Sequence, residues 1–299
     1  MRQSVRARRT PRRTAARGAQ RAQEHEPEPP RPRRRAGAAP AVLCCAVLYG
    51  LFAWQIAVDG PVRELDERTG PALSRHAPPG AELLADLGGV WVALPVLAVA
   101  MLYAVWRTPV RAGAQPGGGE RAATAPAHRG PLPSRRPHVL RRLLHRFLHH
   151  FLRRVPAAVR VPLVAGAAAF AVLPAVVLPL KSAQARPGPK GPLADDYAGF
   201  FPSGHSTTAA VAYGAAVLLL LPLLRSRAAR RLLVAAAGAV VLGVGAGLVW
   251  REYHWPLDVL AGWCVAGVLL AGCWYGAARL TAYAAARVTP HGADPLRRP

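Results

Sequence analysis

The 299-residue chain is 52% hydrophobic yet carries a formal charge of +24, a pairing that excludes an ordinary soluble domain because the two properties separate along the sequence. The apolar residues fall in runs of about 18–24, the length a helix needs to cross a bilayer, and the arginines fall between the runs. The expected fold class is therefore all-α, a polytopic membrane protein with six transmembrane helices.

Residues 1–38 are rich in Arg, Pro and Ala, lack periodicity, and predict a disordered basic tail. Such a tail can bind nucleic acid. Beside a membrane span it reads more simply as a cytoplasmic segment drawn to anionic headgroups, and nucleic acid is not the expected partner. Residues 39–106 hold the first two spans, over 39–58 and 87–106, joined by an acidic external loop with Asp59, Glu64, Asp66, Glu67, Glu82 and Asp86. Residues 107–155 form a basic cytoplasmic segment. Its first part, 107–137, is a Gly/Pro/Arg linker, and 138–155 place apolar pairs every four positions, the pattern of a basic amphipathic helix on the inner leaflet. His138, His145, His149 and His150 decorate the polar face of that helix.

A core over 156–281 carries four spans, at 161–180, 206–224, 232–250 and 257–278, and 282–299 form a second cytoplasmic tail. The basic tail, the 107–160 segment, the turn from Arg225 to Arg231 and the C-terminal arginines alternate with the acidic and short loops. By the excess of arginine in cytoplasmic loops, both termini lie in the cytoplasm and the 59–86, 181–205 and 250–256 loops lie outside the cell membrane. Cys44, Cys45, Cys264 and Cys273 all sit in apolar runs without zinc-site spacing and read as small apolar helix residues.

Lysine occurs only at Lys181 and Lys190, an arginine bias of the kind a high-GC genome imposes. Both lysines lie in one external loop, where three short stretches converge at similar depth. Lys181 and Arg186 come first. Pro202-Ser203-Gly204-His205 leads into the fourth span, with Ser203 as N-cap and Gly204 allowing close approach to a ligand. The free N–H groups and dipole of that helix start suit a phosphate. His254 and Asp258, four residues apart, open the sixth span, a spacing that lets the carboxylate hold one imidazole nitrogen and leave the other as nucleophile or base. Arg251 precedes His254 by three residues, on the same face if the helix extends that far. Two histidines on opposite sides of one pocket suit in-line displacement of a phosphoryl group, and cations with N–H donors suit its equatorial oxygens. No carboxylate cluster or Cys/His set suggests a metal, so the expected reaction needs no cofactor.

Across roughly 165–275 these stretches resemble the type 2 phosphatidic acid phosphatase (PAP2) family, which is related in its active site to vanadium haloperoxidases. PSGH at 202–205, HWPLD at 254–258 and the continuation from Asp258 to Trp263 carry the resemblance. It implies a six-helix PAP2-like bundle and a phosphohistidine on His254, with Asp258 orienting the ring and His205 protonating the leaving alcohol. Lys181, Arg186, Ser203 and Gly204 would bind phosphate, with Arg251 in reserve. The substrate class implied is a lipid phosphate: phosphatidic acid, phosphatidylglycerol phosphate or a polyprenyl pyrophosphate. Two departures stand out. The arginine of the first motif belongs at Gly188 but stands at Arg186, and the Ser-Arg pair of the third motif falls at Gly247 and Leu248. These leave open a phosphotransferase, and a catalytically weak protein that binds or moves phospholipids.

Overall fold

A computed structural model of the chain describes residues 38–108, 155–191 and 198–286. Most of the tails expected over 1–38 and 282–299, and of the linker and amphipathic helix expected within 107–155, lies outside the described residues.

Each apolar run forms a helix. They are α1 (Ala38–Ala57), α4 (Val90–Arg107), α5 (Ala157–Gln184), α6 (Gly204–Leu220), α7 (Arg227–Trp250) and α8 (Pro256–Ala286), with two further helices, α2 (Pro61–Ser74) and α3 (Ala81–Asp86), between α1 and α4. The six longer helices are each long and apolar enough to cross a membrane. With no strand among the described residues, the protein is an all-α, multi-pass membrane protein.

The helix ends follow local chemistry rather than the limits of the apolar runs. Ser226 caps α7 by accepting from Ala229 N–H at 3.4 Å, which starts that helix five residues before its apolar stretch; such a cap contributes about 1 kcal/mol. Ala185 stops α5 in a left-handed conformation, its N–H donating to Lys181 O at 2.8 Å. A 3-10 turn over Leu221–Leu223 containing Pro222 breaks α6 from α7. α8 runs on to Ala286 because the last turns are alanine-rich and remain good helix formers past the apolar run.

The surfaces of these helices are apolar where a soluble protein would be polar. Trp91, Leu102 and Trp106 of α4 and Leu43 and Trp54 of α1 are among the most exposed large side chains, which is the arrangement expected for lipid-facing helices. Trp91 and Trp106 stand at opposite ends of α4, where interfacial aromatics anchor a span.

Inside, α5, α6 and α8 pack on one another around Leu173, Val177, Val211 and Val265. α4 packs on α6 through Ala93, Leu97, Ala212 and Ala215. α7 joins through Val244, Leu248 and Val249, against Ala209 and Tyr213 of α6. α1 is held mainly near its end, where Ile56 packs on Phe201 and Ala261 and Tyr49 stacks on Phe201 at 5.7 Å.

Residues 59–86, read from sequence as a loop, are largely helical. α2 carries Pro61 at its start and i,i+4 ion pairs along its length, Arg63 with Asp59 and Glu67 and Arg68 with Glu64. α3 lies across α7. The two approach through Gly247, where an added Cβ would sit 2.6 Å from Ala81 O and 2.7 Å from Ala85 N, so no larger residue fits that crossing.

Candidate active site

The ends of α5, α6, α7 and α8 that adjoin α2 and α3 bring the three sequence stretches together. α7 ends at Trp250, and the chain reverses through Arg251 and Glu252, the latter at φ +53°, before α8 begins at Pro256. His254 therefore stands in the turn before α8 instead of on it. Tyr253 and His254 N–H both donate to Leu248 O, at 2.9 and 3.3 Å, which pins the turn to the last part of α7.

His254 is buried, and its Nδ1 lies 3.3 Å from Asp258 Oδ2. The carboxylate can only accept, so Nδ1 carries the proton of that bond, and the ring also bonds to the Phe200 backbone. The same Oδ2 accepts from Trp255 N–H at 3.1 Å. Burial holds the His254 imidazole below its ordinary range, against the opposing pull of Asp258. Phe200 meets the ring edge-on, with centroids 5.5 Å apart.

The PSGH turn is bonded to the same helix start. Ser203 N–H donates to Asp258 O at 2.9 Å, and Ser203 Oγ caps α6 by accepting from Ser206 N–H at 3.3 Å. Ser206 Oγ reaches Val259 O at 3.2 Å. This contact requires Gly262, where a Cβ would lie 2.1 Å from Ser206 Oγ and 2.8 Å from Ser203 O. Lys181, buried, donates from Nζ to Gly199 O at 2.6 Å and lies beside Phe200 and Gly204.

A cleft of about 420 Å³ opens here, lined by Lys190, Gly191, Phe200, His205, Leu248, Glu252, Tyr253 and His254. It contains both histidines. Lys190 rests its ammonium 4.9 Å from the centre of the Tyr253 ring, and Glu252 Oε1 accepts from Ser74 of α2 at 2.8 Å.

The two arginines are placed differently. Arg186 is 1% exposed and, like Lys181, Ser203 and Gly204, is not among the cleft-lining residues. Its guanidinium donates to Asp258 Oδ1 at 2.7 Å, Asp66 Oδ2 at 2.9 Å and Glu67 Oε1 at 3.2 Å, and lies 5.4 Å from the Trp255 ring centre. Burial lowers its pKa, but the Asp258 and Asp66 carboxylates outweigh that and raise it above its ordinary value. Arg251 is exposed, pairs with Glu82 of α3 at 3.4 Å and does not line the cleft. Position 248, where the resembled pattern has arginine, is a leucine 1% exposed that packs with Val244 and Ala85.

Sequence reading missed Asp66 and Glu67 as members of this constellation. The available signal was the row of alternating charges four apart over 59–68 behind Pro61, a mark of an external helix.

No curated protein matches the chain. Among solved structures, a transmembrane PAP2-type phosphatidylglycerolphosphate phosphatase from Bacillus subtilis shares the fold, with a TM-score of 0.51 and 19% identity over 84% of this chain and 99% of that one. The family model of the PAP2 superfamily matches residues 163–282. Lys181, Ser203, His205, His254 and Asp258 all fall inside that stretch, so the similarity to the PAP2 superfamily spans the segment 163–282 that carries them.

Proposed function

We propose that the protein hydrolyses the phosphomonoester or pyrophosphate of a membrane lipid, at the external face of the cell membrane, through a phosphohistidine on His254. The observation that carries this reading is the His254–Asp258 contact at 3.3 Å on a cleft shared with His205. One histidine is oriented by a carboxylate, and a second lines the same cleft.

In the first half-reaction, His254 Nε2 attacks phosphorus while the bond to the lipid oxygen breaks. His205 passes its proton to that oxygen, and the lipid alcohol or lipid monophosphate leaves. Asp258 stabilises the imidazolium character that develops as Nδ1–H is held. In the second half, His205 takes a proton from water as the water oxygen attacks phosphorus. The P–N bond breaks, inorganic phosphate leaves, and both histidines return to their starting forms.

The equatorial oxygens need positive and N–H partners. Lys181 against Gly204, Lys190 at the cleft wall and the first N–H groups of α6 supply them in this reading, with Ser203 setting the start of the helix. Arg186 serves from behind, on Asp258, and Arg251 stays on the rim with Glu82.

Phosphate release in detergent, with EDTA present, tests the proposal. Phosphatidic acid, phosphatidylglycerol phosphate and undecaprenyl pyrophosphate are offered to the native protein and to His254→Ala. The expected result is release from at least one lipid that survives EDTA and falls by roughly 10³-fold or more in the variant. Folded protein that releases phosphate from none of the three would overturn hydrolysis in favour of phospholipid binding or transport. Phosphate passed to an added alcohol in place of water would identify a phosphotransferase.

A further inference from the structure

We infer that Asp66, on the external helix α2, is a positioning residue for the His254–Asp258 pair, acting through Arg186 and through the first turn of α8. The inference rests on the histidine chemistry proposed above, but it concerns a residue outside the 163–282 segment.

Asp66 is 5% exposed and uses both carboxylate oxygens. Oδ1 accepts from Leu257 N–H at 2.8 Å, and Oδ2 accepts from Arg186 at 2.9 Å. Leu257 is the second residue of α8, so a side chain from α2 occupies the place of an N-terminal cap for the helix that carries Asp258. The other arm of Arg186 reaches Asp258 Oδ1 at 2.7 Å, and Asp258 Oδ2 faces His254. The four side chains form one line, Asp66, Arg186, Asp258 and His254, two of whose members are 1% exposed or less and where each contact is a charged hydrogen bond or an imidazole–carboxylate pair. Trp255 closes the line from one side, its ring against Gly70 of α2 and its indole N–H on Pro187 O at 3.0 Å.

Above about pH 6, to which burial raises the Asp66 carboxyl, its charge sets how strongly Arg186 draws on Asp258. With two buried carboxylates and the partly exposed Glu67 sharing one guanidinium, Asp258 keeps enough negative charge to hold the Nδ1–H of His254 and the imidazolium that forms during transfer. Without that charge, Arg186 turns to Asp258 more fully, and His254 becomes a poorer base and nucleophile. The remaining charged groups around His254 are Lys181, and His205, Lys190 and Glu252 on the cleft; none contacts Asp66.

Asp66→Asn separates this role from simple packing, because the amide oxygen still accepts from Leu257 N–H while the charge is gone. The first readout needs no substrate: the imidazole titration of His254 in ¹⁵N-histidine-labelled full-length protein in micelles, assigned by its disappearance in His254→Asn. The expected result is a titration displaced to lower pH by about half a unit or more, with kcat on the best lipid down at least about tenfold and KM within about threefold. Asp66→Glu, which keeps the charge, should leave the titration near the native value.

A His254 titration unmoved in Asp66→Asn overturns the inference whatever the activity. A fall in kcat with an unmoved titration assigns Asp66 to structure alone and also overturns it. If Asp66→Asn does not fold, Glu67→Gln removes a charge from the same guanidinium at a half-exposed position. The inference then expects a smaller displacement in the same direction, and none refutes it. Native protein that hydrolyses no lipid phosphate defeats the proposed function, while the titration still decides the role of Asp66.

Discussion

His254 combines burial with a carboxylate partner, and the two act in opposite directions on its proton. Burial is the larger cause and lowers the imidazole pKa. A lowered value means that the neutral, nucleophilic form persists to lower pH, so the acid limb of kcat/KM should lie below the usual imidazole value of about 6.5. A pH profile whose acid limb sits above 7 would contradict this assignment. His205 has a different task, and its loss should depend on the leaving group. His205→Gln is expected to lower kcat on a lipid alkyl phosphate by roughly 10²–10⁴-fold, and much less on p-nitrophenyl phosphate, whose phenolate leaves without a proton. Equal losses on both substrates would count against a proton donor. These two histidines, with Asp258 and Ser203, were legible in sequence because their spacing and the helix-start signal are local. The partners of Arg186 were not, since Asp66 and Glu67 lie some 120 residues away along the chain.

At the level of elements, α2 and α3 change the meaning of the sequence departures. Gly247 and Leu248 stand where the resembled pattern has a polar residue and an arginine, and both are used for packing. Gly247 admits the backbone of α3, and Leu248 fills the space between Ala85, Val244 and the cleft. Restoring the arginine should therefore fail. Leu248→Arg is expected to lower the thermal midpoint and leave kcat no higher than native, because it inserts a charge among buried apolar groups; a gain in activity would show that position 248 reaches the phosphate. Gly247→Val should push α3 off α7, destabilising by a few kcal/mol, about the scale of an overpacked core site, with a lowered thermal midpoint in detergent. An unchanged midpoint would mean that α3 is not held by this crossing. Hydrophobic periodicity could not reveal α2 and α3, because α3 is too short to show a period and α2 is heavily charged, and they are ordered by packing, α3 on α7 and α2 on α7 and α8.

For the whole molecule, the helix ends sort into two sets. The ends near residues 57, 90, 184, 204, 250 and 256 share α2, α3 and the cleft, and the ends near 107, 157, 223–227 and 286 carry Arg107, Arg160, Arg225 and Arg227. In the orientation proposed above, the excess of arginine places the second set in the cytoplasm and the cleft outside. In a chain whose four native cysteines are replaced, Glu64→Cys should react with a membrane-impermeant maleimide in intact cells, and Arg227→Cys should react only after lysis. The reverse pattern would invert the orientation and place the proposed reaction on the cytoplasmic side.

Membrane class, six apolar spans and the placing of His254 near Asp258 can be read from the chain alone. Each of these is written in contiguous residues, as run length, charge alternation or i,i+4 spacing. The tertiary structure alone decided which cation meets which anion. Arg186 and Lys190 are two similar charges four residues apart, yet one is enclosed by Asp66, Glu67 and Asp258 while the other lines the cleft. That choice depends on where α2 docks against α8, and no local pattern encodes the docking, because its energy comes from contacts that exist only once both helices are in place.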